Sequence, residues 1–428
     1  MVGLTDDTWK SFAFFFLALL AAYALISAPS VASDFTLNIF GNANMDDIID
    51  EKDTAYVEGV IDKTNAPTNL SDANHDGKID ENDISQIEQI IAGEENELTI
   101  VDAMENIVTV KMPVEEVSIL SAMTAEAIQV LNAEDMVVGI DESTARENVF
   151  LPDLSKLPTI GSSSEPDIES IINLNPDLVI CTGSIGPSAD ELDDKLDGTN
   201  ITVVRMDFYK DESMSEEIEK LGYLLNKKAE AKEFIVFYEG YLKLILERIN
   251  EISGDELPKV YMESHNDYTA HSKGTGFNTR CSMAGGRNIV AEANLTGGSA
   301  GSYPVVDPEW VMEQNPDIII KNPSKKVISG YGADDSSEMD AIWNSVKKRP
   351  ELANVSAVKN DKIFIIAAIS GGPKVFVCTL YMAKWFHPDL FEDLNPEAVH
   401  QEYLSRFLRL NYDLHEHGVF VYPPLEVS

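Results

Sequence analysis

From Leu98 onward, short aliphatic and β-branched runs such as VSIL (117–120), MVVGI (136–140), LVIC (178–181) and TVV (202–204) alternate with stretches of helical spacing. Short buried strands separated by helices predict α/β layers. The pattern also repeats. PDIESIINLNPDLVI (166–180) and VDPEWVMEQNPDIII (306–320) both read as a helix start, a helix, an Asn-Pro-Asp turn and a buried strand, so two lobes with one local plan are expected, residues 98–212 and 257–428. Between them, residues 216–252 contain no proline and place Phe234, Tyr238, Tyr241, Ile245, Ile249 and Ile252 at three-to-four spacing. That is the stripe of a one-faced helix, and it predicts a single long connecting helix within 213–256.

A second repeat precedes the lobes. Residues 42–53 (NANMDDIIDEKD) and 72–83 (DANHDGKIDEND) share one pattern at an offset of 30. In the second copy Asp72, Asn74 and Asp76 take positions 1, 3 and 5, Gly77 the sharp turn, Lys78 a backbone carbonyl, and Asp80 and Asp83 the close. Hard oxygen ligands at these spacings wrap a calcium ion. The first copy offers Asn42, Asn44, Asp46, the Ile48 carbonyl, Asp50 and Asp53, but Asp47 replaces the turn glycine and Asn42 the first carboxylate. Two calcium sites are therefore expected, the second loop binding more strongly. Ile49 and Ile79 at position 8 are expected to pack inward, and Ile84, Ile87, Ile90 and Ile91 predict a helix after the second loop. A short acidic ligand at position 12, one helix after each loop and the tandem arrangement resemble a type I dockerin over roughly residues 35–92. The resemblance implies a small all-α, EF-hand-like calcium domain (34–92) that docks onto a cohesin domain of another chain. AGEENE (92–97) is polar and carries Gly93, so residues 93–97 read as a linker.

The first 33 residues carry an apolar run, 12–26, after Lys10 and before the small residues of APSVAS. This reads as a secretory signal or an uncleaved N-terminal anchor, with no cysteine nearby to accept a lipid. The expected location is the outer face of the cytoplasmic membrane or the cell surface, where sequons at Asn69, Asn200, Asn294 and Asn354 would be open to glycosylation. Three cysteines are too few for a disulfide framework, and a Cys281–Cys378 pairing stays open. With 73 acidic against 32 basic side chains and a net charge of −41, the chain is excluded as a nucleic-acid binder. At 44% apolar residues it is also not a disordered acidic chain. No Gly-x-Ser-x-Gly elbow, His-Glu-x-x-His pair, P-loop or dinucleotide fingerprint occurs, so no enzyme activity is expected.

The order and spacing of several pieces carry a further resemblance: TIVDAMENIVTV (99–110), LPTIGSSSEPDIESIINLNPDLVI (157–180), AGGRNIV (284–290) with YPVVDPEWVMEQNPDIII (303–320), VKNDKIFII (358–366) and LYMAKWFHPDLF (380–391). Together they resemble a class III substrate-binding protein of an ABC importer, of the ferric siderophore, haem and cobalamin type, over residues 98 to about 424. The resemblance implies two Rossmann-like lobes joined by a backbone helix, an iron chelate or corrinoid held in the cleft between them, and delivery to a permease dimer with its ATPase. Calcium-dependent surface assembly through a cohesin is the alternative function.

Ligand contacts are expected from loops at the strand ends, among them residues 121–126, 143–147 and 161–165 in the first lobe and 263–280, 299–304 and 368–374 in the second. Arg146, Ser163, Tyr268, His271, Lys273, Arg280 and Tyr303 are the candidate ligand-binding residues, since aromatic faces and cationic heads suit a macrocycle or an anionic chelate. Glu169 and Glu309 hold equivalent places on the two lobes, and the resemblance implies that they face arginines of the permease, with Glu165 as a competing choice in the first lobe.

Overall fold

Both acidic loops end in a helix for the same local reason. Asp50 and Asp80 are extended N-caps, and Asp53 and Asp83 return a hydrogen bond to the cap backbone, so reciprocal capping boxes start α1 (Glu51–Ile61) and α2 (Glu81–Ala92). Val57, Ile87 and Ile90 are buried, and Gly93 at φ 71° ends α2 in the left-handed region. The computed structural model describes residues 35–183, 189–298, 301–324 and 326–425, so the expected signal or anchor segment lies outside the described residues. Among the described residues no helix is long and apolar enough to cross a membrane.

The polar stretch after α2 is not a free linker. Glu95 is buried, and β1 (Glu97–Val101) starts within it and pairs antiparallel with β2 (Ile107–Lys111). The open edge of β1 is taken by the segment before the first loop: Phe40 N–H donates to Thr99 O and Val101 N–H to Asn38 O, both at 2.9 Å. Leu37, Ile39, Ile87 and Ile90 thereby join Leu98, Ile100 and Val110 in one apolar core, so the calcium-type module is fused to the lobes rather than tethered to them. Polarity and Gly93 alone read as a linker; the pairing that ties it down involves residues on both sides and leaves no local sign.

The first lobe contains β3 (Val117–Ile119), α3 (Ala122–Val130), β4 (Val137–Gly139), α4 (Glu142–Arg146), α5 (Ile168–Leu174), β5 (Leu178–Cys181), α6 (Ala189–Leu196) and β6 (Thr202–Arg205). Its sheet is parallel throughout, in the order β4-β3-β5-β6. Two helices connect the lobes, α7 (Met214–Leu224) and α8 (Lys228–Ile249). The second lobe contains β7 (Lys259–Glu263), α9 (Gly276–Met283), β8 (Arg287–Asn288), α10 (Ile289–Glu292), α11 (Pro308–Gln314), β9 (Ile318–Lys321), α12 (Ser337–Lys347), α13 (Ser356–Lys359), β10 (Ile363–Ile366), α14 (Phe376–Phe386), α15 (Pro396–Arg406) and β11 (Val421–Tyr422). Its sheet runs β8-β7-β9-β10 in parallel and adds β11 antiparallel at the edge. Without that edge strand the two lobes have the same strand order, second-first-third-fourth.

The sequence echo is the visible part of this doubling. α5 and α11 begin at the N-caps Asp167 and Asp307 and end at Asn175 and Asn315, each at φ 48°. The proline that follows cannot continue the helix. The aspartate after it clamps the neighbouring strand: Asp177 Oδ2 accepts from the N–H groups of Glu115 and Glu116, and Asp317 Oδ2 from Lys259 N–H. β5 and β9 are then wholly buried.

The connecting segment departs from the expected single helix. It breaks after Leu224, where Asn226 sits at φ 53° and Lys227 N–H reaches back to Gly222 O at 2.7 Å. α7 folds against α8 so tightly that a Cβ on Gly222 would stand 2.6 Å from the Ala231 Cβ, so glycine is required there. Periodicity holds within each helix, which is why the break did not show. α8 alone is the strut, 22 residues and about 33 Å long, with Phe234, Phe237 and Tyr238 buried against Phe376 and Tyr403. Cys181, Cys281 and Cys378 are all buried and unpaired, so the Cys281–Cys378 bridge is not formed.

Candidate functional site

In each lobe the chain leaves its first strand toward one side of the sheet and its third toward the other. The crevice at the carboxyl ends of those two strands is where an open α/β sheet binds ligands. It falls beside Ser121 and Thr182 in the first lobe and beside Ser264, His265 and Asn322 in the second.

On the second-lobe side the charges are already spent on each other. Glu263 accepts two bonds from Arg349 at 2.9 and 3.0 Å, and Asp267 accepts one at 2.7 Å. Lys321 lies 3.7 Å from Glu263 and 3.6 Å from Asp267, although burial still lowers its pKa. Tyr268 is part of this network: its ring lies 4.9 Å under Arg349 and its hydroxyl donates to Glu351 at 2.5 Å. Burial, then the bond to Glu351, raises the pKa of that hydroxyl.

His271 differs. It is 4% exposed, its ring stacks on Phe277 at 4.7 Å and meets Tyr303 edge-on at 5.3 Å, and neither nitrogen has a hydrogen-bond partner. Burial, then the charges of His265, Arg280 and Lys321, lowers its pKa to about 3, so the imidazole is neutral at pH 7. A neutral ring with an uncommitted lone pair and an N–H can ligate a metal or bond a polar group, and Tyr303 beside it is half-buried.

The other expected contacts are dispersed. Arg280 is 1% exposed and pairs through Nε with Asp211, from the loop before α7, at 3.0 Å, while Nη1 donates to Ser370 O at 3.2 Å. It is a strut between lobes, not a cation open to ligand. Lys273 is exposed and bonds Asn294 at 2.5 Å, Arg146 is exposed beside Glu142 at 3.7 Å, and Ser163 is half-buried in the turn between Gly161 and Pro166. Residues 121–126 are not a loop but the cap and first turns of α3, and 143–147 are the body and C-cap of the short α4, whose N-cap is Asp141.

Sequence reasoning missed a buried polar group between the lobes. Glu126 on α3 accepts from Lys374 Nζ at 2.5 Å, Lys374 N–H at 3.1 Å and Tyr403 Oη at 2.6 Å. Phe150 stacks on Tyr331 at 4.4 Å beside it. The segments 121–126 and 368–374 are thus brought together, but as a joint between the lobes.

Glu169 and Glu309 are exposed in the first turns of α5 and α11, with Ile172 and Met312, also exposed, one turn on. Glu165 closes the neighbouring turn through backbone bonds to Ser162.

The acidic loops close on their own side-chain oxygens. Asp76 N–H donates to Asp72 and Asn74, Gly77 N–H to Asp72, Lys78 N–H to Asp76, and Asn74 and Asp80 N–H to Asp83. In the first loop Asn44 and Asp50 N–H donate to Asp53, which burial, then repulsion from Asp46 and Asp50, raises to a pKa of about 6. Asn42 is fully buried, its amide nitrogen spent on Leu37 and Asp46 carbonyls and its Oδ1 without a partner. Among the described residues no three His, Cys, Asp or Glu side chains converge on one point. The donor set suits calcium, which also takes amide and backbone carbonyl oxygens, here those of Asn44, Asn74, Ile48 and Lys78.

The periplasmic binding protein family profile matches residues 117–369, more than half of the chain. The chain belongs to this family. Its members are solute-binding proteins of ABC transporters and not enzymes, in keeping with the absence of catalytic motifs. The chain is 23% identical over 344 residues to the molybdate-binding protein MolA of Haemophilus influenzae, covering 73% of this chain and 91% of that one. It is 26% identical over 228 residues to a cobalamin-binding protein of Halobacterium salinarum, covering 52% and 58% respectively. The crystal structure of the TroA-like periplasmic binding protein FepB from Veillonella parvula superposes with a TM-score of 0.61 at 23% identity, over 76% of this chain and 98% of that one. That likeness shows the fold.

Proposed function

We propose that this periplasmic binding protein captures a metal chelate, an iron complex or a corrinoid, between its lobes and hands it to an ABC permease dimer driven by its ATPase. The observation that carries the ligand class is His271: a buried, neutral, unpartnered imidazole between Phe277 and Tyr303. Arg280, Arg349 and Lys321 are neutralised by Asp211, Glu263 and Asp267, which favours a neutral chelate with an apolar face over a small oxyanion. The test is a thermal-shift screen of the full chain against cyanocobalamin, haemin, ferrichrome and sodium molybdate. One of the first three is expected to raise the melting temperature, by about 2.7 kcal/mol of added stability at a hundredfold excess over Kd. His271→Leu should weaken that ligand tenfold or more without lowering the unliganded melting temperature. A shift with molybdate alone overturns the chelate reading.

Glu169 and Glu309 are the proposed permease contacts, one per lobe. Charge reversal at both, E169K with E309K, should leave the ligand-induced shift intact and abolish ligand uptake by cells carrying the cognate permease. Uptake at the unmutated rate removes both residues from that surface.

Two calcium ions are the proposed cofactors of the N-terminal module, with the second loop the stronger. Asp72, Asn74, Asp76, Asp80 and Asp83 would hold one, together with the Lys78 carbonyl. Docking to a cohesin through the exposed faces of α1 and α2 is the alternative role, and capture by a cohesin domain in calcium, with release in EGTA, would establish it. The fusion of the module to the lobe core supports an internal role instead.

A further inference from the structure

The N-terminal module holds the corner at which the strut begins. α7 ends at Leu224, the chain turns at Asn226, and α8 starts at Lys228. Ile49, position 8 of the first loop, donates its N–H to Tyr223 Oη at 3.1 Å, and both residues are 4% exposed. Lys228 donates Nζ to the carbonyls of Ile90 at 2.8 Å and Ile91 at 3.4 Å, in the last turn of α2. The Ile90 carbonyl also accepts from the cap N–H of Gly93 at 3.3 Å, and a cation is favoured at that end of the dipole. The same ammonium lies 5.1 Å from the Tyr223 ring centroid, and Asn38 donates to Glu216 on α7 at 2.8 Å. Beneath these bonds Ile49, Val57, Ile87 and Ile90 share a core with Ile218, Leu221 and Leu224.

The bond from Ile49 has a particular consequence. Its N–H belongs to the same peptide unit as the Ile48 carbonyl, the position-7 oxygen of the loop. In a trans peptide the two groups point in opposite directions, so the oxygen can face an ion while the N–H faces Tyr223. A cation drawing on the carbonyl polarises the unit and strengthens the N–H as a donor. The second loop reaches the same corner by another route, through α2 and the carbonyls that Lys228 caps.

We propose that the module is a calcium-operated brace: filling the loops orders the Tyr223–Lys228 corner and so stiffens the start of the strut joining the lobes. This rests on the calcium reading above. Without a cation, each loop is held by N–H bonds to carboxylates that repel one another. With one, the peptide unit of residues 48–49 and the end of α2 are fixed, and the corner is fixed with them.

The test combines calorimetry with hydrogen exchange on the full chain, in calcium and in EGTA. Calorimetry should show saturable calcium binding, and calcium should slow exchange at the Ile49 amide and across residues 223–231 at least tenfold. Tyr223→Phe should retain calcium binding while losing most of the protection at the corner. Lys228→Gln should do the same for the path from α2. If calcium binds and protects only the loops, the brace is overturned and the calcium sites stand. If calorimetry shows no calcium binding, both fall. Equal loss of corner protection in Tyr223→Phe with and without calcium reduces Tyr223 to a static packing residue and also overturns the proposal.

Discussion

Replacing Lys374 by Met lowers the unfolding free energy of the full chain by about 3–5 kcal/mol, read from urea denaturation followed by tryptophan fluorescence. The Glu126 carboxylate is fully buried on the first lobe, and Lys374 is the cation that the second lobe sends to it at 2.5 Å. Burial pushes the Glu126 pKa up even against the pull of Lys374. The ammonium also lies 4.5 Å from the Phe150 ring centroid, so its stem and charge are both enclosed. Met fills the stem's volume and removes the charge, leaving a carboxylate that Tyr403 Oη and one N–H cannot compensate. The double variant Glu126→Gln with Lys374→Met removes both charges and should recover a large part of the loss, because paired deletion costs far less than leaving one ion alone. A loss under about 1 kcal/mol in the single variant would show that the carboxylate reaches water or a proton instead. The joint leaves no room for substitution nearby either: a Cβ on Gly372, at φ 77°, would stand 2.1 Å from Glu126 Oε2.

This joint decides how the lobes work as a pair. Two sheets that share a four-stranded parallel order would tolerate wide closure if only α8 linked them. Instead Glu126 with Lys374 and Asp211 with Arg280 are buried ion pairs across the lobes, and Gly372 N–H donates to Phe208 O at 3.1 Å. Opening the cleft widely would expose four charged groups and a stacked aromatic pair at once. On the proposed reading, a ligand would then be admitted by small adjustments of the loops around His271 and Tyr303. The N-terminal module adds contacts of its own at the corner where α8 begins.

How much of this was legible follows from the range of each signal. The doubling was readable because Asp167 to Leu178 and Asp307 to Ile318 spend a cap, a stop and a clamp on one short stretch, and local chemistry leaves a local trace. The capping boxes of α1 and α2 were readable for the same reason. The break at Asn226 was not, since a left-handed asparagine between two regular helices leaves no proline and no shift of period. The fused linker was not, because the edge of β1 is filled by residues 38–40 from beyond two calcium-type loops. His271 was legible as a candidate but not as the unpartnered group that singles it out. The joint was least legible: Lys374 and Glu126 lie 248 positions apart, and each alone reads as an ordinary surface charge.

Arg280 is the residue where the two readings give opposite outcomes, and Arg280→Met is expected to cost about 3–5 kcal/mol of stability. A ligand-facing arginine would do the reverse, weakening binding and leaving the denaturation midpoint in place. Here the guanidinium is buried with Asp211 at 3.0 Å, donates to Ser370 O at 3.2 Å and sits 5.7 Å from the Phe277 ring centroid. Asp211 comes from the loop that leaves the first lobe, and its backbone oxygen also receives the Tyr238 hydroxyl from the strut at 3.4 Å. One side chain thus ties the first lobe's exit, α9 and the 370 segment, and its loss strands the buried Asp211 carboxylate without its cation. The urea midpoint should fall with the slope unchanged, which marks lost stability rather than a changed denatured state. Asp211→Asn together with Arg280→Met should recover stability toward the unmutated value. Phe277 links this strut to the stacked ring of His271, so a chelate shift that survives in the double variant would place Arg280 wholly in the frame. A midpoint unchanged in the single variant, with binding lost, would return Arg280 to the cleft.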